Sequence, residues 1–241
     1  MAGEGVLKVV YWITRRLIRP RLSGLAGLAG CGGTGAAVYV GNHSGAFGPI
    51  MVMSCLPFRI HPWVAYEITE PATCADYLNE DFTAGELRLK EPLSRWLALL
   101  ISPICVLLMR YVGAVPVYRN SRRIVRTMAA SRALLSGGEK LVIFPEKPRE
   151  KPEQGAAGPV GEFDTGFLSL ARSYYADRGK ALPFFPLAVS QKTRTLSIGS
   201  ALTLDLNKPL AAEKRRIRHQ LEERIARLCR DGAGARSSSS Q

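Results

Sequence analysis

Hydrophobic and polar positions along the chain set out a regular succession of elements. Val6, Val9, Val10, Ile13 and Leu17 recur at helical spacing, with Lys8, Arg15 and Arg16 interleaved, and Pro20 ends the pattern. Tyr11 and Trp12 lie beside them, which describes a basic amphipathic helix either lying in the plane of lipid headgroups or packing on the core. Leu22 to Gly35 is small and glycine-rich, a linker. Ala36 to Val40 predicts a short buried strand running into a turn opened by Gly41, and Ile50 to Leu56 a buried helix. Pro62 to Tyr66 reads as a strand. Glu67 to Glu91, rich in acids, reads as an exposed irregular segment, a candidate flap over the site.

Further along, Trp96 to Met109 is the most apolar run, interrupted by Pro103 and shorter than the roughly 18 to 20 residues a bilayer span requires. A buried core helix and a shallow membrane-dipping segment fit it equally. Val112 to Asn120 predicts a strand, Ser121 an N-cap, and Ile124, Val125, Met128 and Leu135 the apolar stripe of a helix closed by Gly137 and Gly138. A strand at Lys140 to Phe144 and a Pro/Gly-rich loop from Glu150 to Gly161 follow. The remaining pattern is a helix at Asp164 to Ala176, a strand at Leu182 to Val189, a hairpin at Thr195 to Leu204 and a helix at Ala212 to Arg230. Strands alternating with helices predict an α/β fold, a mixed, largely parallel sheet flanked by helices. The organisation expected is an amphipathic N-terminal segment and linker at 1–35, one domain at 36–230 and a disordered tail at 231–241.

Charge changes the picture. Lys and Arg number 33 against 20 Asp and Glu, a formal charge of +13. Such a balance suits an anionic membrane face, a phosphorylated substrate or nucleic acid. Scattered arginines without a basic stripe interleaved by aromatics argue against nucleic acid. The arginines within and after the first apolar stretch, with no small-residue cleavage site following, do not fit a signal peptide. Five widely spaced cysteines without a Cys-x-x-Cys suggest neither a disulfide framework nor a metal site, and fit a reducing cytoplasm.

No internal repeat, Walker-type or dinucleotide-binding glycine pattern, or Gly-x-Ser-x-Gly elbow is present. Candidate chemistry instead collects at predicted strand ends, where an α/β sheet opens on a crevice: His43, Arg119 and Glu146. If the reaction needs a base near neutral pH, His43, His61 and His219 are the whole choice.

Four stretches in order resemble the four blocks of the glycerolipid acyltransferase family, which includes the 1-acylglycerol-3-phosphate acyltransferases. Asn42-His43 with Pro49-Ile50 resembles its Asn-His-x-x-x-x-Asp-Pro block, and Gly113 to Arg119 its Gly-x-x-x-x-x-Arg block. Phe144-Pro145-Glu146 with Arg149 resembles Phe-Pro-Glu-Gly-Thr-Arg, and Leu182 to Ala188 resembles the proline-containing strand of the fourth block. The chain departs from the pattern twice: Gly48 stands where the family has its aspartate, and Lys147-Pro148 replaces Gly-Thr.

The resemblance implies transfer of a fatty acyl group from a thioester, carried by coenzyme A or acyl carrier protein, to a hydroxyl of a lysophospholipid-like acceptor. It implies no cofactor and no metal. Catalysis would fall to His43, with Glu146 or Glu67 as an acid that could stand in for the missing aspartate. Asn42, Arg119, Lys147 and Arg149 would bind substrate, the cations holding phosphate. The protein would sit peripherally on the cytoplasmic face of a phospholipid membrane. A catalytically degenerate lipid-binding member of the same fold is the alternative.

Overall fold

The computed structural model describes residues 16, 21–23, 35–43, 47–147, 160–191 and 193–234. Apart from Arg16, the expected helix at Val6 to Ile18 lies outside them, as do Arg149 and residues 235–241. In chain order the regular elements are β1 (Arg21–Ser23), β2 (Ala37–Gly41), α1 (Phe47–Cys55), β3 (His61–Ala65), α2 (Pro71–Leu78), α3 (Leu93–Val112) and β4 (Val115–Val117). There follow α4 (Ile124–Ser136), β5 (Lys140–Ile143), α5 (Leu170–Arg178), β6 (Phe184–Ser190), β7 (Thr195–Ile198) and α6 (Leu210–Gly234). Two compact units form, one whose described part is His61–Ala130, the other drawn from Thr14–Ile60 and Ser131–Gln241.

In the larger unit β2 is central, parallel to β5 on one side and to β6 on the other. β7 pairs antiparallel with β6 and parallel with β1, so the sheet is mixed and largely parallel. Every residue of β2 is buried, as expected for a strand covered on both faces. Tyr39 is fully buried, stacked on Phe185 at 5.2 Å and tilted against Phe58 at 5.5 Å between ring centroids. Met51, Val52 and Cys55 of α1 join Phe185, Leu187, Leu196 and Ile198 in the same core. Helix α6 packs on β6 and β7, and its Ile217, Leu221 and Ile225 are all fully buried.

Several expectations shift here. Arg21–Ser23, of which Leu22 and Ser23 fall in the linker expected from composition, forms the edge strand β1, because β7 offers it a free parallel edge. The hairpin is made by β6 and β7 and not within 195–204; Leu202 returns to exchange two 2.8 Å backbone hydrogen bonds with Phe184. Helix α6 continues through Gly234, so part of the expected tail is helical. The helix placed at Asp164 to Ala176 is a 3₁₀ turn at Gly166–Ser169 leading into α5, the turn begun by Asp164, whose Oδ1 accepts from Gly166 N at 2.8 Å.

The smaller unit departs further. Glu67 to Glu91 is not an irregular cover: it holds a 3₁₀ turn (Tyr66–Thr69), α2 and a wide turn (Asn79–Glu86). Ile68, Cys74, Leu78 and Phe82 supply an apolar stripe that the acid count hides, and they pack with Ala98, Ile101, Cys105 and Val106 of α3. Thr83 is buried in the wide turn and donates to the Ser94 carbonyl at 2.9 Å. The apolar run becomes one 20-residue helix, α3, which passes through Pro103. Proline removes the N–H that would reach the Leu99 carbonyl, and Ser102 Oγ donates to that oxygen instead at 3.3 Å. Gly113 ends α3 in the left-handed conformation at φ 66°, and β4, shorter than predicted, pairs parallel with β3. Among the described residues α3 alone is long and apolar enough to cross a membrane by length and composition.

Candidate active site

In the larger unit the site is built at the carboxyl ends of β2, β5 and β6. Asn42, the residue after β2, is buried, and its amide clamps β6: Nδ2 donates to the Val189 carbonyl at 3.1 Å while Oδ1 accepts from Val189 N at 2.8 Å. Both ends of the amide are therefore taken up by backbone. In this structure Asn42 fixes where the chain leaves the sheet, and His43, the next residue, is delivered exposed.

The His43 ring stands edge-on to Phe144 at 5.9 Å and 76°. Phe144 directly follows β5, whose Ile143 is paired with Val40, so register alone sets Phe144 beside Gly41. A Cβ on Gly41 would come within 2.9 Å of the Phe144 ring and 3.2 Å of Leu187. The glycine is what allows the ring to approach and back His43. Among the described residues no carboxylate is hydrogen-bonded or ion-paired with His43. Gly48 is buried in the first turn of α1, where the backbone is helical. Of the other histidines, His61 is buried, its Nδ1–H donating to the Gly113 carbonyl at 2.8 Å, and His219 is exposed on α6, 4.0 Å from Glu222.

Two residues beyond Phe144, Glu146 pairs as an isolated antiparallel bridge with Phe163. Lys147 N donates to the Glu162 carbonyl at 3.0 Å, and Asp164 N to that of Pro145 at 2.9 Å, which pins the segment on both sides. Glu146 is half-buried and its charge reaches α6: burial raises the Cys229 thiol above its ordinary pKa, and Glu146 adds to the rise. Lys147 is exposed, with Nζ 2.8 Å from Glu162 Oε1, which Arg218 also approaches at 3.0 Å. The two cations hold the Glu162 carboxyl below its ordinary range.

Arg119 belongs to the smaller unit. It follows β4 and the buried Tyr118, whose ring stacks on Tyr66 at 5.1 Å and carries the Arg123 guanidinium 4.3 Å above its centroid. Among the described residues Arg119 is exposed and makes no hydrogen bond or ion pair. Its charge bears on Tyr77, which burial, then Asp81 and Glu67, push up to about 12 while Arg119 opposes them. Glu67 is thus part of an Arg119–Tyr77–Asp81 neighbourhood. No group of three or more His, Cys, Asp or Glu residues suited to a metal occurs among the described residues.

Sequence reasoning missed Gly41, Phe144 and Val189 as the supports of His43. Phe144 stood in the third block beside Glu146, but only the β2–β5 register shows that it meets His43.

The Acyltransferase family model matches residues 97–190, a span that holds the second, third and fourth blocks and begins after His43. The fold is that of the 1-acyl-sn-glycerophosphate (LPA) acyltransferase PlsC from Thermotoga maritima. The two share 16% sequence identity at a TM-score of 0.53, over 95% of this chain and 81% of that one. No curated protein matches the chain by sequence. The family match covers the middle of the chain, and the structural likeness shows a shared fold.

Proposed function

We infer that the protein transfers a fatty acyl group from an acyl thioester, of coenzyme A or acyl carrier protein, to a hydroxyl of a lysophospholipid or glycerol-phosphate acceptor at a membrane surface. The observation that carries the reading is His43, exposed at the carboxyl end of a fully buried central strand, next to Asn42, which is clamped to the Val189 backbone, and with its ring backed by Phe144. A hydroxyl near neutral pH is a weak nucleophile, so its proton must leave as the oxygen attacks the thioester carbonyl. His43 takes that proton. The tetrahedral intermediate collapses with cleavage of the carbon–sulfur bond, and the thiolate recovers the proton from the imidazolium. Helix α1 starts four residues after His43, and the positive end of its dipole favours the negative charge that develops on the carbonyl oxygen. Arg119, without an anionic partner of its own, is suited to the acceptor phosphate, because a guanidinium meets phosphate with two parallel donors.

One specific observation favours a second reading, a lipid-binding protein with little turnover. Gly48 offers no carboxylate, and none is bonded to His43 among the described residues. By the analogy of serine proteases, loss of the group that orients the histidine costs about 10⁴ in rate, roughly 5 kcal/mol.

Acyl transfer by wild type, His43→Ala, Gly48→Asp and the double variant separates the readings. We expect His43→Ala to lose about 10³-fold or more in kcat/KM. Because position 48 is helical, aspartate fits the backbone, and its charge is favoured in a first turn. Gly48→Asp should therefore raise turnover if no acid orients His43, and leave it level or lower if another already does. Equal turnover by wild type and His43→Ala removes His43 as the base. Absence of turnover in all four with lipid binding intact selects the second reading. For Arg119→Ala the expected change is a raised acceptor KM, a loss of about 2 to 4 kcal/mol in transition-state binding, with lysine restoring only part. A lowered melting temperature with unchanged acceptor kinetics would make Arg119 structural.

A further inference from the structure

Helix α3 is built inside out. Its packed side carries Ser94, Ala98, Ser102 and Val106, at spacings of four, all buried. The opposite side presents Leu93, Trp96, Leu99, Leu100, Ile104 and Leu107, between 45% and 70% exposed. A helix that only completes a core turns its large apolar side chains inward and its small or polar ones outward. Here the small residues let α3 settle close against Cys74 and Leu78 of α2, while the large ones form a continuous stripe facing away.

We propose that this stripe is a membrane-docking surface, with α3 lying in the interfacial plane of an anionic phospholipid layer and its large side chains immersed among the acyl chains. Three observations choose lipid as the occupant. The stripe carries an indole, Trp96, near its amino-terminal end, the side chain best suited to the boundary between headgroup and hydrocarbon. It is bordered by two exposed arginines, Arg95 and Arg110, and Arg110 has no ion-pair partner among the described residues. It belongs to a chain of net charge +13, which complements anionic headgroups. The packed face argues against a span: with Ala98, Ser102 and Val106 set against α2 and Ser94 against Thr83 of the wide turn, only one side of α3 is available to lipid. The proposal builds on acyl transfer to a lipid acceptor, since such a surface would bring a membrane-resident acceptor to the enzyme, but its test does not depend on turnover.

The test is flotation of the full chain with vesicles of phosphatidylcholine containing or lacking phosphatidylglycerol, for wild type and for Leu100→Glu/Ile104→Glu. Both substituted positions are exposed, and far-UV circular dichroism with melting temperature confirms that the variant folds. We expect vesicle affinity to fall about tenfold or more in the variant, and wild type to bind the phosphatidylglycerol vesicles more tightly. Dibrominated lipids should quench wild-type tryptophan fluorescence, and Trp96→Phe should remove most of the quenchable part. Undiminished flotation of the folded variant would overturn the proposal, as would quenching unchanged by Trp96→Phe. It also fails if the glutamates leave flotation alone but convert a dimer to a monomer in sedimentation, which would give the stripe to a second copy of the chain. Protection of Trp96 from iodide before vesicles are added would give it to another segment of the same chain, again against the proposal. Flotation that meets these expectations while all acyl-transfer assays fail would keep the docking surface and remove the enzymatic reading.

Discussion

The sheet of the larger unit and helix α3 of the smaller one use the same kinds of apolar residue in opposite ways. In β2, β5 and β6 the large side chains face inward: Tyr39, Leu141, Phe184 and Leu187 are all fully buried. In α3 the fully inward positions are held by serine, alanine and valine, with Ile101 and Cys105 beside them, while Leu93, Trp96, Leu99, Leu100, Ile104 and Leu107 are outside. Burial stabilises roughly in proportion to the apolar area removed from water, about 25 cal/mol per Å². The sheet therefore draws its stability from its large residues. Helix α3 draws little from its own in water and leaves them available to another medium. The interior behind His43 is packed, whereas the outer side of α3 is apolar and exposed.

Truncation distinguishes the two uses most sharply. Leu187→Ala, at a fully buried position of β6, should cost about 3 kcal/mol through lost transfer energy and the cavity left behind. Leu100→Ala on α3, 70% exposed, should lie within about 0.5 kcal/mol of wild type in the absence of lipid. Chemical denaturation of both variants decides the matter: a large loss for Leu100→Ala would mean that the stripe is covered in the isolated protein. The reverse substitution comes next in size. Ala98 is fully buried between α3 and α2, so Ala98→Leu overpacks the contact and should cost about 2 kcal/mol, read in the same experiment.

The pattern of the chain made most of the sheet legible because buried strands announce themselves. Val38 to Val40 and Leu141 to Ile143 are unbroken apolar runs, and both became strands within a residue or so of their expected limits. The acidic stretch from Glu67 to Glu91 was misread because charge was counted without periodicity. Its acids sit on the outer side, while Cys74, Leu78 and Thr83 turn inward. The three-residue β1 was illegible for a different reason: so short a strand has no period of its own, and only pairing with β7 defines it. Pro103 pointed to an interruption in α3, yet Ser102 takes up the carbonyl that proline leaves vacant, a compensation visible only in three dimensions. At the site, His43 and Glu146 could be singled out by strand-end position. That Asn42 spends its amide on Val189, and that Phe144 rests against His43, depend on contacts between strands distant in sequence.

Gly41 tests whether the interior behind His43 has to be shaped as it is. The Cβ introduced by Gly41→Ala would meet the Phe144 ring at 2.9 Å and Leu187 at 3.2 Å, both well inside ordinary contact, and a buried aromatic ring has little room to yield. The expected loss is about 1 to 2 kcal/mol in stability. Acyl transfer should fall by more than unfolding explains, because displacement of Phe144 removes the surface against which His43 is set. Kinetics below the melting transition check this. Full activity in a destabilised Gly41→Ala protein would make Phe144 a packing residue with no part in positioning.

The smallest loss expected of a buried residue lies on α6 of the same unit, and it concerns charge. Glu213, in the first turn of α6, is buried. Its Oε2 accepts from Arg216 at 2.6 Å and from Asp205 N at 2.9 Å. The hydrogen bond from Arg216, then that from Asp205, pull its pKa down to about 2 from an ordinary 4.5. A carboxyl whose folded pKa is depressed contributes stability that is complete above the unfolded value and is lost as pH falls through the folded one, here between about 4.5 and 2. Glu213→Gln retains the shape and one acceptor but not the charge. It should therefore melt a few degrees lower at pH 7, a loss of about 1 kcal/mol. The gap to wild type should narrow as pH drops below about 4 and close near 2, as wild type loses by protonation what the variant already lacks. Melting temperatures of the two proteins across that range are the measurement. A gap that persists unchanged at the acid end would show that Glu213 acts through packing, and that the contrast between the two units rests on apolar burial alone.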